Sequence, residues 1–393
     1  MQNSIYHNVP KRGFTPEEFE ARLLRAQKIM HKWELDTIFL TTPPNIRYFS
    51  GFDTQFWESP TRPWFLVIPL EGKPIAVIPE IGKNGMALTW VDDIRTWHSP
   101  NPIDDGVSLL RSTIEEQTKK FNKVGAELGK EMSIRMPIIE FDKIRENVSS
   151  KIIDGSPAIW EMRMVKTASE VKHIEHICKI ASDAYNRLPK NLSIGETERD
   201  AVRKLRIDIA NKGADATPFM PAVSGPGGVP QIICGPSDRI LEKGDILFID
   251  TGSTFDGYFC DFDRNFAIGE ISNDAAQAYD LLWLATEAGI SAAIPGATTE
   301  DVWIAMNKII ENASTIENNV GRFGHGLGLQ LTEPPSHSFG NKTQILENMV
   351  LTIEPGIEYS PGKMMVHEEN IVVSKEGPKL LTIRAPREIP IIK

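Results

Sequence analysis

Five side chains of metal-binding type are spread over the last third of a 393-residue chain: Asp250, Asp261, His325, Glu354 and Glu368. Four carboxylates and one imidazole form an oxygen-rich ligand set whose charge matches two divalent cations. Hard oxygen donors with a single imidazole favour Mn²⁺, Fe²⁺, Co²⁺ or Zn²⁺ over copper, and a purely structural zinc would call for thiolates. Mn²⁺ is the first choice because oxygen dominates, so two divalent metal ions per chain are expected.

Each of the five stands in a segment that reads as strand or tight turn. Asp250 closes the apolar run 246–249, which follows the turn Glu242-Lys243-Gly244-Asp245, and this places it at the far end of a buried strand. Residues 251–257 read as a hairpin turn, so Asp261 is expected on the next antiparallel strand, its carboxylate facing that of Asp250. His325 lies in Gly324-His325-Gly326-Leu327-Gly328, where glycines let backbone approach a crowded site. Glu354 follows the strand-like residues 349–353 and precedes Pro355-Gly356. Glu368 opens a further strand, with Glu369 beside it as a competing ligand.

This order of residues resembles the pita-bread metallohydrolases of peptidase family M24, the group of Xaa-Pro aminopeptidase, prolidase, methionine aminopeptidase and creatinase. The motifs that carry it span roughly residues 160–393, and the preceding part is similar to the smaller domain of the creatinase and prolidase branch. The resemblance implies that Asp261 and Glu368 bridge two ions, that Asp250 chelates one, and that His325 and Glu354 complete the other. Glu368 rather than Glu369 has the family's spacing to Gly377. The implied activity is hydrolysis of a C–N bond by a water bridging two divalent metals, Xaa-Pro peptidase-like, with Glu354 taking the proton from that water. A small-molecule hydrolase or lyase on the same fold, similar to creatinase, ectoine hydrolase or dimethylsulfoniopropionate lyase, is the first alternative. A binding protein without turnover is the second.

Three departures from the family pattern bear on substrate. Two histidines usual in the peptidases fall on Ile233 and Thr332, neither of which can act as a physiological acid or base. The usual Asp-x-Thr-Arg-Thr becomes Asp261-Phe262-Asp263-Arg264-Asn265, which sets Asp263 on the same strand face as Asp261. Asp263 is therefore a candidate catalytic carboxylate, as a proton acceptor or as a sixth acidic or basic group near the ions, against the alternative of an ion pair or a surface hydrogen bond. Candidate substrate contacts are Thr332, His337 and the segment from Phe56 to Trp64, where Trp57 suits a cationic or planar group and Arg62 a carboxylate. Loop packing is the alternative for both tryptophans. In creatinase-like dimers such a loop reaches the partner's active site, so a homodimer is expected. His367 is a weaker replacement for a lost imidazole.

The rest of the chain must position these groups. A charged content of 24% and a hydrophobic content of 41% are ordinary for a globular enzyme, and a net charge of −10 disfavours nucleic acid and anionic membranes as partners. A small molecule or dipeptide as substrate is what the resemblance implies. Residues 1–14 lack the apolar core of a secretory signal, no apolar run is long enough to span a bilayer, and three dispersed cysteines form no framework, which together predict a cytoplasmic protein. The pattern predicts two domains, 1–160 of α/β type and 161–393 of α+β type, and the resemblance implies the pita-bread fold for the second. Thr15-Pro16-Glu17-Glu18 and Thr167-Ala168-Ser169-Glu170 are capping boxes that start helices, the first over 16–34 and the second running on to about 214. Strands are expected at 37–41, 64–69 and 74–79, and helices again around 274–290 and 299–312.

Overall fold

The computed structural model describes residues 9–59, 62–313 and 321–393. Residues 1–8 of the segment read for a secretory signal, and Pro60 and Thr61 of the tryptophan-rich segment, lie outside them. The chain divides into two compact units, Arg12–Arg163 and Met164–Lys393, residues 9–11 belonging with the second.

The first unit opens with the helix Pro16–Lys32, where the Thr15 hydroxyl accepts from the Glu18 amide and Pro16 fills the first position, which needs no donor. Phe19, Leu23, Ala26 and Met30 recur at helical spacing and are buried. Six strands form one mixed sheet: β1 (Thr37–Leu40), β2 (Phe65–Pro69), β3 (Ile75–Pro79), β4 (Asp93–Trp97), β5 (Lys123–Ala126) and β6 (Lys151–Asp154), in the order β4-β3-β2-β1-β5-β6. β2 and β3 pair antiparallel, as the turn at Glu71-Gly72-Lys73 predicts, whereas β5 and β6 run parallel to β1. Phe39, Phe65, Val67, Val77 and Val124 meet Leu110, Ile114 and Phe141 in its core.

In the second unit the helix Ala168–Asn191 starts from a complete capping box between Thr167 and Glu170. The helical pattern does not continue unbroken to 214. It stops at Leu192, turns through Gly195 at φ +91°, and restarts as Glu198–Asn211 from a second box between Thr197 and Asp200. Further on, β7 (Ala216–Phe219) and β8 (Ala222–Pro226) both pair with β9 (Asp245–Phe255), which pairs antiparallel with β10 (Tyr258–Ile268). The helices Asn273–Ala292 and Thr299–Ala313 follow. A second sheet contains β11 (His325–Gly326), β12 (Glu333–Ser336), β13 (Val350–Ile353), β16 (Glu369–Ser374) and β17 (Gly377–Leu380), with β14 (Gly356–Ser360) and β15 (Lys363–Val366) as a separate hairpin and β18 (Ile391–Ile392) beside β10. Leu282 and Met306 of the two helices pack with Leu351, Ile353, Ile371 and Val373 of the second sheet. Among the described residues no helix is long and apolar enough to cross a membrane.

Candidate metal centre

The β9–β10 hairpin differs from its expected form in one instructive way. Only Asp256 and Gly257 make the turn, at φ +50° and +79°, the two positive values of a type I′ turn that matches strand twist. β9 therefore runs on to Phe255, and Asp250 sits in mid-strand rather than at its end. In the resulting register Asp250 stands directly opposite Asp263, while Asp261 faces Gly252 and lies diagonal to Asp250. Paired residues of antiparallel strands project to one face, so all three aspartates share it. Gly252 leaves that position free for Leu331, whose Cδ1 would lie 2.3 Å from any Cβ placed there.

From the second sheet come the other groups. His325 opens β11, its amide donating to Thr352 Oγ1 at 3.0 Å, and Gly324 before it has φ +116° with the Thr352 carbonyl only 2.3 Å from where a Cβ would be. Glu354 follows β13 and its amide donates to the Phe323 carbonyl at 3.0 Å. Glu368 immediately precedes β16 rather than opening it. Ligand atoms of Asp261, His325 and Glu368 all lie within 4.8 Å of one another, and all three side chains are buried. Glu369 points to other partners: Arg264 at 3.1 Å, Arg384 at 3.2 Å and the Ala385 amide at 2.8 Å. The two arginines hold Glu369 in place, which leaves Glu368 to the aspartate and histidine.

Hydrogen bonding fits these residues to a metal. His325 Nδ1 is 2.8 Å from the Gly326 carbonyl, which can only accept, so Nδ1 carries the proton and Nε2 presents a lone pair. That lone pair lies 3.4 Å from Asp261 Oδ2. Two acceptors so close repel unless a proton or a metal ion lies between them. Ligand bonds of about 2.1 Å at a near-tetrahedral angle separate two donor atoms by about 3.4 Å. Three more oxygens, Asp250 Oδ1, Asp263 Oδ2 and Glu368 Oε1, are buried and have no hydrogen-bond partner among the described residues. Burial pushes the carboxyls of Asp250, Asp261, Asp263 and Glu368 well above the usual range, and pushes Glu354 up to about 8. Dry carboxyls without donors are costly to ionise unless cations join them. Asn370 fixes the strand that carries Asp261: its Oδ1 accepts from the Asp261 amide at 3.0 Å and its amide nitrogen donates to the Asp261 carbonyl.

The other sequence candidates fall in varied places. Thr332 is half-buried and accepts from Arg322 Nη2 at 3.3 Å, while Arg322 Nη1 reaches Ser336 at 3.2 Å. The charge of Arg322 acts on Asp261 and Glu354, drawing both carboxyls down against the effect of burial. Sequence reasoning missed Arg322, although a cation three residues before His325 is a signal where imidazoles have been replaced. Ile233 is 79% exposed. Glu333 pairs with the buried Lys166 at 3.1 Å. His337 is fully buried, and burial together with the neighbouring His325 lowers its pKa to about 3, so it stands as a neutral ring away from solvent. His367 Nδ1 is 3.0 Å from Thr286 Oγ1 and its ring packs edge-on to Tyr279.

In the first unit Trp64 is 1% exposed and stacks on Phe52, so it is core. Trp57 packs edge-on against both, and the Arg135 guanidinium lies 5.8 Å from its ring centroid. The cation expected over Trp57 is thus supplied by the chain itself. Arg62 lies 5.5 Å from the Phe56 ring centroid.

Residues 172–376 match the model of metallopeptidase family M24, and residues 22–165 match the creatinase/prolidase N-terminal domain. The chain is 28% identical to a probable dipeptidase PepE of Mycobacterium tuberculosis, over 97% of this chain and 98% of that one. It is 27% identical to an Xaa-Pro dipeptidase of Pyrococcus furiosus, over 94% and 99%. The crystal structure of dipeptidase PepE from Mycobacterium ulcerans superposes with a TM-score of 0.84 at 28% identity, covering 96% of this chain and 99% of that one.

Proposed function

Because the chain belongs to metallopeptidase family M24, with the pita-bread catalytic fold behind a creatinase-type N-terminal domain, we propose that it is a dinuclear metallohydrolase that cleaves the C–N bond of a dipeptide-like substrate. The observation that carries this reading is the trio Asp261, His325 and Glu368, with Asp250 on the strand beside Asp261 and Glu354 at the end of β13. Asp261 and Glu368 would be shared by two ions, Asp250 would hold one, and His325 with Glu354 the other. Mn²⁺ suits this oxygen-rich set best, and Fe²⁺, Co²⁺ and Zn²⁺ are the other candidates. When bound, such ions supply Lewis acidity and lower the pKa of a water held at the site.

The chain's own groups do the rest. His325 offers Nε2 because the Gly326 carbonyl holds the proton on Nδ1. Glu354 would take a proton from the attacking water and pass it to the leaving nitrogen, as a carboxylate at the end of β13 facing the site can do. Arg322 brings positive charge to the side of the site where Thr332 replaces an imidazole. A homodimer in the cytoplasm, in which Arg62 meets a substrate carboxylate at the partner's site, is the assembly this reading favours.

The names of the similar proteins support a dipeptide, and an Xaa-Pro dipeptide is the first substrate to test. Thr332 and the exposed Ile233 favour a second reading, a small-molecule hydrolase or lyase on the same fold. Turnover of Mn²⁺-loaded protein on Xaa-Pro and other dipeptides, alongside creatine, ectoine and dimethylsulfoniopropionate, separates the two. Cleavage of dipeptides supports the peptidase. Turnover of the small molecules alone supports the second reading, and no turnover of any of them with ions bound counts against both.

A further inference from the structure

Asp263 occupies a place where the resembled pattern has threonine, and its surroundings leave its carboxylate without an ordinary structural task. The side chain is 2% exposed, which removes the surface hydrogen bond as an explanation. Among the described residues it also makes no salt bridge, although the charge of Arg264 acts on it. The neighbouring Arg264 sends Nη1 to the main-chain carbonyls of Asp263 and Glu368, at 2.6 and 2.8 Å, and Nη2 to Glu369 and the Ile383 carbonyl. Asn265 lies 3.4 Å from Asp263 Oδ1, yet its amide makes its shorter bond, 2.6 Å, to the Val366 carbonyl. Asp263 Oδ2 has no hydrogen-bond partner among the described residues.

Directly across the ladder stands Asp250, and its Oδ1 is likewise buried and unpartnered. Side chains opposite one another in an antiparallel pair have Cβ atoms about 5 Å apart. Two bare carboxylate oxygens therefore project from one strand face with no donor between them, a costly arrangement in a dry site unless a cation joins them. A substrate ammonium is a poor candidate, because a group 2% exposed offers it little access, whereas an ion needs only ligand atoms.

We propose that Asp263 is a further ligand of the ion held by Asp250, so that five carboxylates rather than four surround the two ions. This rests on the dinuclear reading above. The added hard oxygen donor confers tighter binding of that one ion and favours Mn²⁺ over softer-preferring metals.

The test is calorimetric titration of MnCl₂ into chelator-stripped full-length protein, comparing wild type with Asp263→Asn and Asp263→Thr, with ion content checked by elemental analysis. Asn keeps the shape of a neutral carboxylic acid, and Thr is the residue of the resembled pattern, so at least one variant should fold. Two ions are expected in the wild type. Either variant should bind one ion at least about tenfold more weakly while the other ion is unchanged. If a folded variant binds both ions as tightly as the wild type, Asp263 merely holds a proton against Asp250 and the proposal is wrong, with the dinuclear reading intact. A wild type that binds no ion overturns both.

Discussion

His325 Nε2 faces Asp261 Oδ2 across 3.4 Å while His325 Nδ1 is tied to the Gly326 carbonyl, so this pair links the two sheets of the catalytic unit through an atom able to ligate. Asp261 comes from β10 and His325 from β11. Removing the aspartate leaves the imidazole without its counterpart. Asp261→Ala is expected to lose at least one ion per chain by elemental analysis and to lose activity by about 100-fold or more. A variant with full metal content and full activity would rule out the assignment.

Protons and metal compete for the same oxygens. Without metal, burial raises Glu354 from its ordinary 4.5 to about 8 and moves Asp250, Asp261 and Glu368 the same way, so the folded protein keeps protons that the unfolded chain has shed. Stability from these groups is then present at low pH and lost as pH rises through their folded values. His337, lowered to about 3, and His367, also lowered, act in the opposite sense, but only below their ordinary 6.5. Between pH 6.5 and 8 the carboxyls decide the sign. The Tm of chelator-stripped protein should fall across that window, and the gain in Tm on adding Mn²⁺ should grow. A stripped protein whose Tm is flat or rising over the same range contradicts this.

Thr332, which accepts from Arg322, cannot act as an acid or base, and this bears on the rate expected with proline peptides. The wild type is expected to be slow on Xaa-Pro dipeptides, and Thr332→His, which restores an imidazole beside Arg322, should raise kcat by on the order of 100-fold. Steady-state kinetics on both proteins checks it. A wild-type kcat/KM already on the order of 10⁴ M⁻¹s⁻¹ or higher would mean that another group has taken over the role.

In the N-terminal unit the buried Glu127 accepts from the amides of Thr41 at 2.6 Å and Thr42 at 3.1 Å, from both their hydroxyls, and from Asn45 Nδ2 at 2.5 Å. Its carboxylate gathers the end of β1 and the start of the helix Pro43–Ser50. Glu127→Ala strands these donors and should cost about 3 kcal/mol or more, read as an earlier transition in urea unfolding. A shift below about 1 kcal/mol would show that water replaces the carboxylate at no great loss.

The sequence by itself determined the helix starts and the acidic and imidazole character of the groups that gather in the second unit. Capping at Thr15 and Thr167, apolar spacing at Phe19, Leu23, Ala26 and Met30, and the Gly-His-Gly segment are local signals, set by hydrogen bonds and side-chain periods within a few residues. The break between residues 192 and 197 was less legible, since its apolar pattern runs on through a turn that Gly195 makes. Tertiary structure alone decided which groups meet. The two-residue turn at Asp256-Gly257 fixes the register that sets Asp263, not Asp261, against Asp250, and a one-residue change there would exchange the faces. Glu369 is withdrawn from the site by Arg264 and Arg384, and Arg384 is 15 residues away along the chain. Trp57 is engaged by Arg135, 78 residues on, and Arg322 is brought to Thr332 by the fold of the loop between β11 and β12. Such meetings depend on long-range packing, whose energy is spread over the whole core and is not written in any short window of the chain.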